Sequence, residues 1–190
     1  MEVAKHLRGR WSQADWVELA VARLRAVGPT ALTLEALCAA AGRTRGSFYH
    51  HFTTVEALLS QVALRWRRTE TDEVGAASLA DPDPRKALRA LARRSEQMDH
   101  GLEIGIRALA GTSGAVAAIV SEVDAEREAI LTRLMQAAYG LPADRAADVA
   151  RIFHSLQLAA QLRAPHDVGG FQKGAARALT AWLEKEATAA

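Results

Sequence analysis

The chain has 190 residues, 49% hydrophobic and 24% charged, with a formal net charge of +2. That is the balance of a globular protein able to bury a core as one domain or two small ones. Its apolar stretches are too short and too interrupted to cross a bilayer, MEVAKHLRGRW lacks the apolar run of a secretory signal, and the single Cys38 excludes an internal disulfide and gives no metal-site spacing; a cytoplasmic protein with no membrane partner, cofactor or metal is expected.

The small net charge hides an asymmetry. Residues 1–68 hold ten Arg/Lys against five Asp/Glu, whereas residues 69–190 hold fourteen against seventeen. A basic N-terminal third is consistent with one end of the molecule meeting a polyanion.

Ala, Leu, Arg and Glu dominate, and no run of alternating β-branched residues occurs, so an all-α fold of about nine helices is expected. Ser12 can cap the first helix, with Asp15 completing a capping box. Val17, Val21 and Leu24 form its apolar stripe beside Trp16 and Ala20, and Gly28-Pro29 ends it. Thr33 caps a short helix with Leu34, Leu37, Cys38 and Ala41 at helical spacing, and Gly42 suits the following turn, where a positive φ is needed. A second short helix runs from about Thr44 to His50. Thr53-Thr54-Val55-Glu56 reads as another capping box and opens a long helix, about 54–76, with Val55, Leu58, Leu59, Val62 and Trp66 on one face. Asp81-Pro-Asp-Pro84 reads as a linker, with Asp83 as cap and Pro84 at the first helical position. Five further helices are expected at about 84–98, 102–110, 115–138, 143–163 and 168–187, and no internal repeat stands out.

The informative stretch is residues 33–56. Short helix, glycine turn and short helix form a helix-turn-helix, whose second helix enters the major groove of double-stranded DNA with its N-terminal residues towards the base edges. Those residues are Thr44, Arg45 and Ser47. Arg45 can contact guanine O6 and N7 in bidentate fashion, or alternatively a phosphate. Gly46 costs helix stability but brings the backbone close to the sugar-phosphate chain. Tyr49 and His50 can donate to phosphates, with a solvated His50, or His51 in its place, as the alternative. Phe48 and Phe52 should face inward. The helix starts at Thr33 and Thr54 can also receive phosphates, and Lys5, Arg8 and Arg10 form a basic N-terminal arm.

TLEALCAAAGRTRGSFYHHFTTVEALL resembles the DNA-binding signature of the TetR family of bacterial transcriptional repressors, densely over residues 12–68. EIGIRALAGTSGAVAAIVSEVDAEREAILTRLMQAAYGLP, further on, resembles a ligand-binding half found in some members. The resemblance implies an N-terminal three-helix DNA-binding domain, residues 1–53, and an effector-binding and dimerisation domain, residues 54–190, with helix 54–76 connecting them. It further implies a homodimer formed by the last two helices, a small-molecule effector, and an operator in double-stranded DNA. The family often places a phosphate-contacting lysine at the start of its fourth helix; Val55 stands there, which shifts weight to Arg43, Arg45 and the arm.

Beyond the helix-turn-helix, Trp66, Met98, Ile104 and Phe153 are pocket candidates that also read as ordinary core. His100, His154 and Gln157 are polar among apolar neighbours and need a partner, a ligand or a bond across a dimer interface. His154 and Gln157, three apart, share one helix face. Catalysis is not expected: Gly111-Thr-Ser-Gly114 is not a nucleophile elbow, and Glu126 and Glu128 face different directions. A DNA-binding protein whose C-terminal half only dimerises, with no effector, is the competing reading.

Overall fold

The structure, a computed structural model, describes residues 11–163 and 167–189. Helices make up nearly all of it, and the described residues contain no strand. The helices are α1 (Gln13–Val27), α2 (Leu34–Ala41), α3 (Arg45–Tyr49), α4 (Val55–Arg67), α5 (Glu73–Ala80), α6 (Pro84–Gln97), α7 (His100–Ala110), α8 (Gly114–Tyr139), α9 (Ala143–Arg163) and α10 (Val168–Ala189). A π-helical turn, Arg68–Asp72, joins α4 to α5. With Val55–Ala80 counted as one interrupted helix, the described residues form nine. No described helix is long and apolar enough to cross a membrane.

Two compact units result. The first comprises the chain up to Trp66 together with Gly101–Val120; the second comprises Arg67–His100 and the chain from Ser121 onward. The division that the family resemblance implies lies between residues 53 and 54. Packing groups the chain differently because α4 spends its apolar face, Leu58, Leu59, Val62 and Trp66, in the first unit's core.

In that unit, Trp16, Leu24, Leu37, Phe48 and Leu58 are almost wholly enclosed. Ser12 caps α1 in the expected box with Asp15. Gly105 of α7 lies so close to α1 that a Cβ there would stand 2.7 Å from Leu24 Cγ. Trp66 Nε1 donates to Glu103 Oε2 at 2.8 Å, and Arg107 donates to Glu103 Oε1 through Nε at 3.0 Å and a terminal nitrogen at 2.8 Å. Glu103, fully buried, is therefore a paired and hydrogen-bonded charge, the arrangement a low-dielectric site requires.

Two local expectations need correction. Thr54 alone caps α4, accepting from Ala57 N–H at 3.1 Å, while Glu56 is drawn away to the Ser113 hydroxyl, so Thr53–Glu56 is no capping box. The helix expected over 54–76 also runs on to Ala80 through the π turn, in which Glu73 N–H reaches back to Arg68 O. The stretch expected as a linker is pinned: Asp81 accepts from Asp83 N–H at 3.0 Å and pairs with Lys86, while Asp83 caps α6. The Asp83 N–H, aided by Lys86, holds the Asp81 carboxyl below the usual carboxylate range.

The second unit packs α10 against α9 and α6. One apolar cluster joins Met135, Ala146, Val149 and Leu183; another joins Ala87, Ile130 and Leu134, with Leu88 touching both. Arg67 pairs with Glu122 at 2.7 Å and Glu126 at 3.1 Å.

Candidate nucleic-acid interface and cavity

The turn between α2 and α3 is made by Gly42, in the left-handed conformation at φ +61°, which returns its N–H to Cys38 O and Ala39 O. Thr33 caps α2 and Thr44 caps α3, each accepting a backbone N–H three residues on at 3.2 Å. Their oxygens satisfy helix termini. Phe48 is enclosed and Phe52 nearly so, as expected, with the Phe48 ring edge-to-face on Trp16 at 5.3 Å.

This inward anchoring leaves the other side of α3 in solvent. Thr44, Arg45, Gly46, Tyr49 and His50 are exposed, Ser47 and Arg43 half-buried. Gly46 has no internal reason to be glycine. Its φ is not positive, and a Cβ there would find nothing nearer than Thr44 Oγ1 at 3.7 Å.

Two residues overlooked in the sequence now matter. Glu35, on α2, pairs with Arg45 at 2.5 Å, both side chains about two-thirds exposed. Such exposed pairs contribute about 0–1 kcal/mol, so a polyanion can displace Glu35. Trp11 carries the Arg43 guanidinium over its ring at 5.3 Å and meets Trp16 at 5.7 Å, linking the surface arginine to the core. A tryptophan one residue ahead of a capped helix was the available signal. Thr33 and Thr54 are exposed at their helix starts; Lys5, Arg8 and Arg10 lie outside the described residues. Burial raises the Cys38 thiol above its ordinary range, opposed by the Arg45 charge and assisted by that of Glu35.

The second unit holds a partly open cavity of about 320 Å³, at the small end of ligand pockets. Met98, Phe153, His154 and Gln157, four of the pocket candidates, line it. Trp66 does not: it is core of the first unit, bonded to Glu103. Ile104 also lies in the first unit, and His100 is not on the wall, its ring nitrogens enclosed without a partner. Gln157 donates to Met98 Sδ at 3.0 Å. The sequence pattern gave no pointer to Glu70, Thr71, Arg127 and Gln172, which come to the wall from the π turn, α8 and α10. Arg127 Nε donates to Thr71 at 3.0 Å, and Arg94 pairs with Glu70 at 3.1 Å. Among the described residues no cluster of side chains suits a metal ion.

A capped helix-turn-helix with one anchored and one solvent-facing side, followed by a helical unit with a cavity, defines a helical DNA-binding regulator. Residues 17–62, which run from α1 through α3 into the first part of α4, match the family model described as "Bacterial regulatory proteins, tetR family". No curated protein matches the chain by sequence. Solved structures share the fold. A proposed transcriptional regulator from Pseudomonas aeruginosa PAO1 is 18% identical, with a TM-score of 0.68 over 93% of this chain and 90% of its own. One from Saccharomonospora viridis, solved in complex with choline, is 12% identical, with a TM-score of 0.71 over 90% and 95%. The ketosteroid transcriptional regulator KstR2 of Mycobacterium tuberculosis is 16% identical, with a TM-score of 0.57 over 90% and 93%.

Proposed function

We propose that the protein is a homodimeric, ligand-responsive repressor acting on a near-palindromic operator. The observation that carries this reading is α3 itself: Phe48 locks one side into the core while Arg45, Gly46, Tyr49 and His50 stand together in solvent, with a glycine the fold does not need. On DNA, Arg45 leaves Glu35 and reads a guanine edge, Tyr49 and His50 hold phosphates, and Thr33, Thr44, Ser47 and Thr54 offer hydroxyl or N–H donors at helix starts. Arg43, steadied on Trp11, and the arm residues Lys5, Arg8 and Arg10 add charge where Val55 supplies none.

The cavity supports an effector. Glu70 and Thr71 on its wall belong to the π turn that directly follows Trp66 and Arg67, where the chain passes from one unit to the next. A ligand that favours one conformer of this stretch changes DNA affinity by its differential binding, typically ~1–3 kcal/mol. Dimerisation through α9 and α10 is supported by Ile152, Leu162 and Trp182, large apolar side chains exposed on those helices.

Selection of bound fragments from a random double-stranded DNA pool tests the reading. The expected product is an inverted repeat with half-site centres about 34–36 Å apart, released or retained according to added metabolites. No enrichment over random DNA in moderate salt refutes DNA recognition. Enrichment that no small molecule alters refutes the effector.

A further inference from the structure

The polar atoms of the cavity wall restrict what can fill it. His154 is 3% exposed and lines the cavity, with Nε2 3.0 Å from Asp124 Oδ1. An ionised carboxylate only accepts, so Nε2 carries a hydrogen and donates to it. The ring's other polar atom, Nδ1, is enclosed without a partner. On α10, Gln172 Nε2 donates to Ser95 Oγ at 3.3 Å, and its Oε1 is likewise enclosed and unpartnered. Both residues line the same space. Buried polar atoms without partners are costly, and an occupant that supplies the missing hydrogen bond recovers that cost.

Several charged groups of the wall already have partners. Glu70 pairs with Arg94, Glu96 with Lys173, and Arg85 donates to Ala138 O while stacking on the Tyr139 ring. The lining holds four arginines and three glutamates, so little net charge remains to select an ion. Val74, Leu91, Ile130, Met135 and Phe153 make much of the remaining surface apolar.

We infer that the cavity takes an uncharged, mainly apolar molecule bearing a hydroxyl group, with the hydroxyl on His154 Nδ1 and any second donor on Gln172 Oε1. A hydroxyl suits the site twice over, since it donates to a lone-pair nitrogen and accepts from a protonated one. The inference deepens the effector reading and rests on it only in taking this cavity as the effector's place.

The test titrates the full chain calorimetrically with 1-octanol and 2-naphthol, each against the carboxylate and the trimethylammonium compound of the same skeleton. An alcohol is expected to bind about ten-fold to a hundred-fold more tightly than its charged counterparts, the range set by leaving a buried acceptor unmet or met. His154→Leu, if folded, should lose that preference. A second readout needs no variant: the ¹⁵N resonance of His154 Nδ1 should move on saturation as its lone pair accepts a hydrogen bond. The inference is overturned if no alcohol binds, if a charged probe binds as well as its alcohol, or if the Nδ1 resonance stays fixed at saturation. Alcohol binding that leaves operator affinity unchanged sinks the effector reading and keeps this one. Operator release by the charged probes alone does the reverse.

Discussion

Gly46→Ala separates the two roles a glycine can have in α3, because the free structure and the proposed docking on DNA give it opposite signs. In the free protein the new Cβ sits in open space, its nearest neighbour Thr44 Oγ1 at 3.7 Å, on a backbone that is not left-handed. Replacing glycine under those conditions stabilises a helix, by about 0.5–1 kcal/mol. In a chain of 190 residues this raises Tm by roughly 1–4 °C. In the proposed docking on DNA, the same methyl group would stand between the backbone and the sugar-phosphate chain. Losing one or two charge-assisted hydrogen bonds at about 1.5–3 kcal/mol each weakens operator binding by roughly ten-fold or more. Thermal unfolding and fluorescence anisotropy on a selected operator measure the two effects on one sample. A raised Tm with unchanged operator affinity refutes the close approach at Gly46; a lowered Tm refutes the local backbone reasoning itself.

Arg45→Ala should weaken operator binding by about 1–3 kcal/mol and relax preference at one base position, while Glu35→Gln should tighten binding by freeing Arg45 at a stability cost of about 1 kcal/mol or less; competition binding on single-base operator variants reads both. Trp66→Phe removes the indole donor to buried Glu103 and should destabilise the chain by about 2–4 kcal/mol in urea unfolding, without altering alcohol affinity at the cavity. Gly75→Ala places a Cβ against Ile130 Cδ1; both residues line the cavity, so the displaced isoleucine should weaken probe binding in calorimetry at a stability cost of about 1–3 kcal/mol. Trp182→Glu puts a charge on an exposed apolar position of α10 and should shift the protein from dimer to monomer in light scattering; an unchanged dimer removes Trp182 from the interface.

The helices were legible because their signals are local. Ser12, Thr33 and Thr44 cap the helices they precede, Gly42 takes the positive φ its turn demands, and Phe48 and Phe52 face inward as their spacing implies. The errors arose where a distant residue outbid a near one. Glu56 had the spacing of a capping-box partner but goes to Ser113, fifty-seven positions away. The π turn at Arg68–Asp72 has no glycine or proline to mark it, and its Thr71 is held by Arg127 from α8. Arg45 was legible as an exposed cation at the start of the second short helix, whereas its pairing with Glu35 across the turn was not, since the side-chain geometry depends on how α2 and α3 cross.

The cavity illustrates the same limit from the other side. Its wall is assembled from the π turn and from α5, α6, α8, α9 and α10, so no local pattern announces it. What the sequence did expose was a polar pair on an apolar helix face: His154 and Gln157, three apart, both reach the wall. Polarity alone could not rank them. Gln157 finds Met98 Sδ, whereas His154 spends Nε2 on Asp124 and keeps Nδ1 in reserve. Trp66 and Ile104, chosen for size and hydrophobicity, carry no such unmet capacity argument and lie in the other unit. Neither kind of signal suffices alone. Among the polar candidates His154 and Gln157 reach the wall and His100 does not, although its ring nitrogens are enclosed without a partner; among the apolar ones Met98 and Phe153 reach it and Trp66 and Ile104 do not. For a site built from distant segments, what decides is which helix faces the tertiary packing brings together.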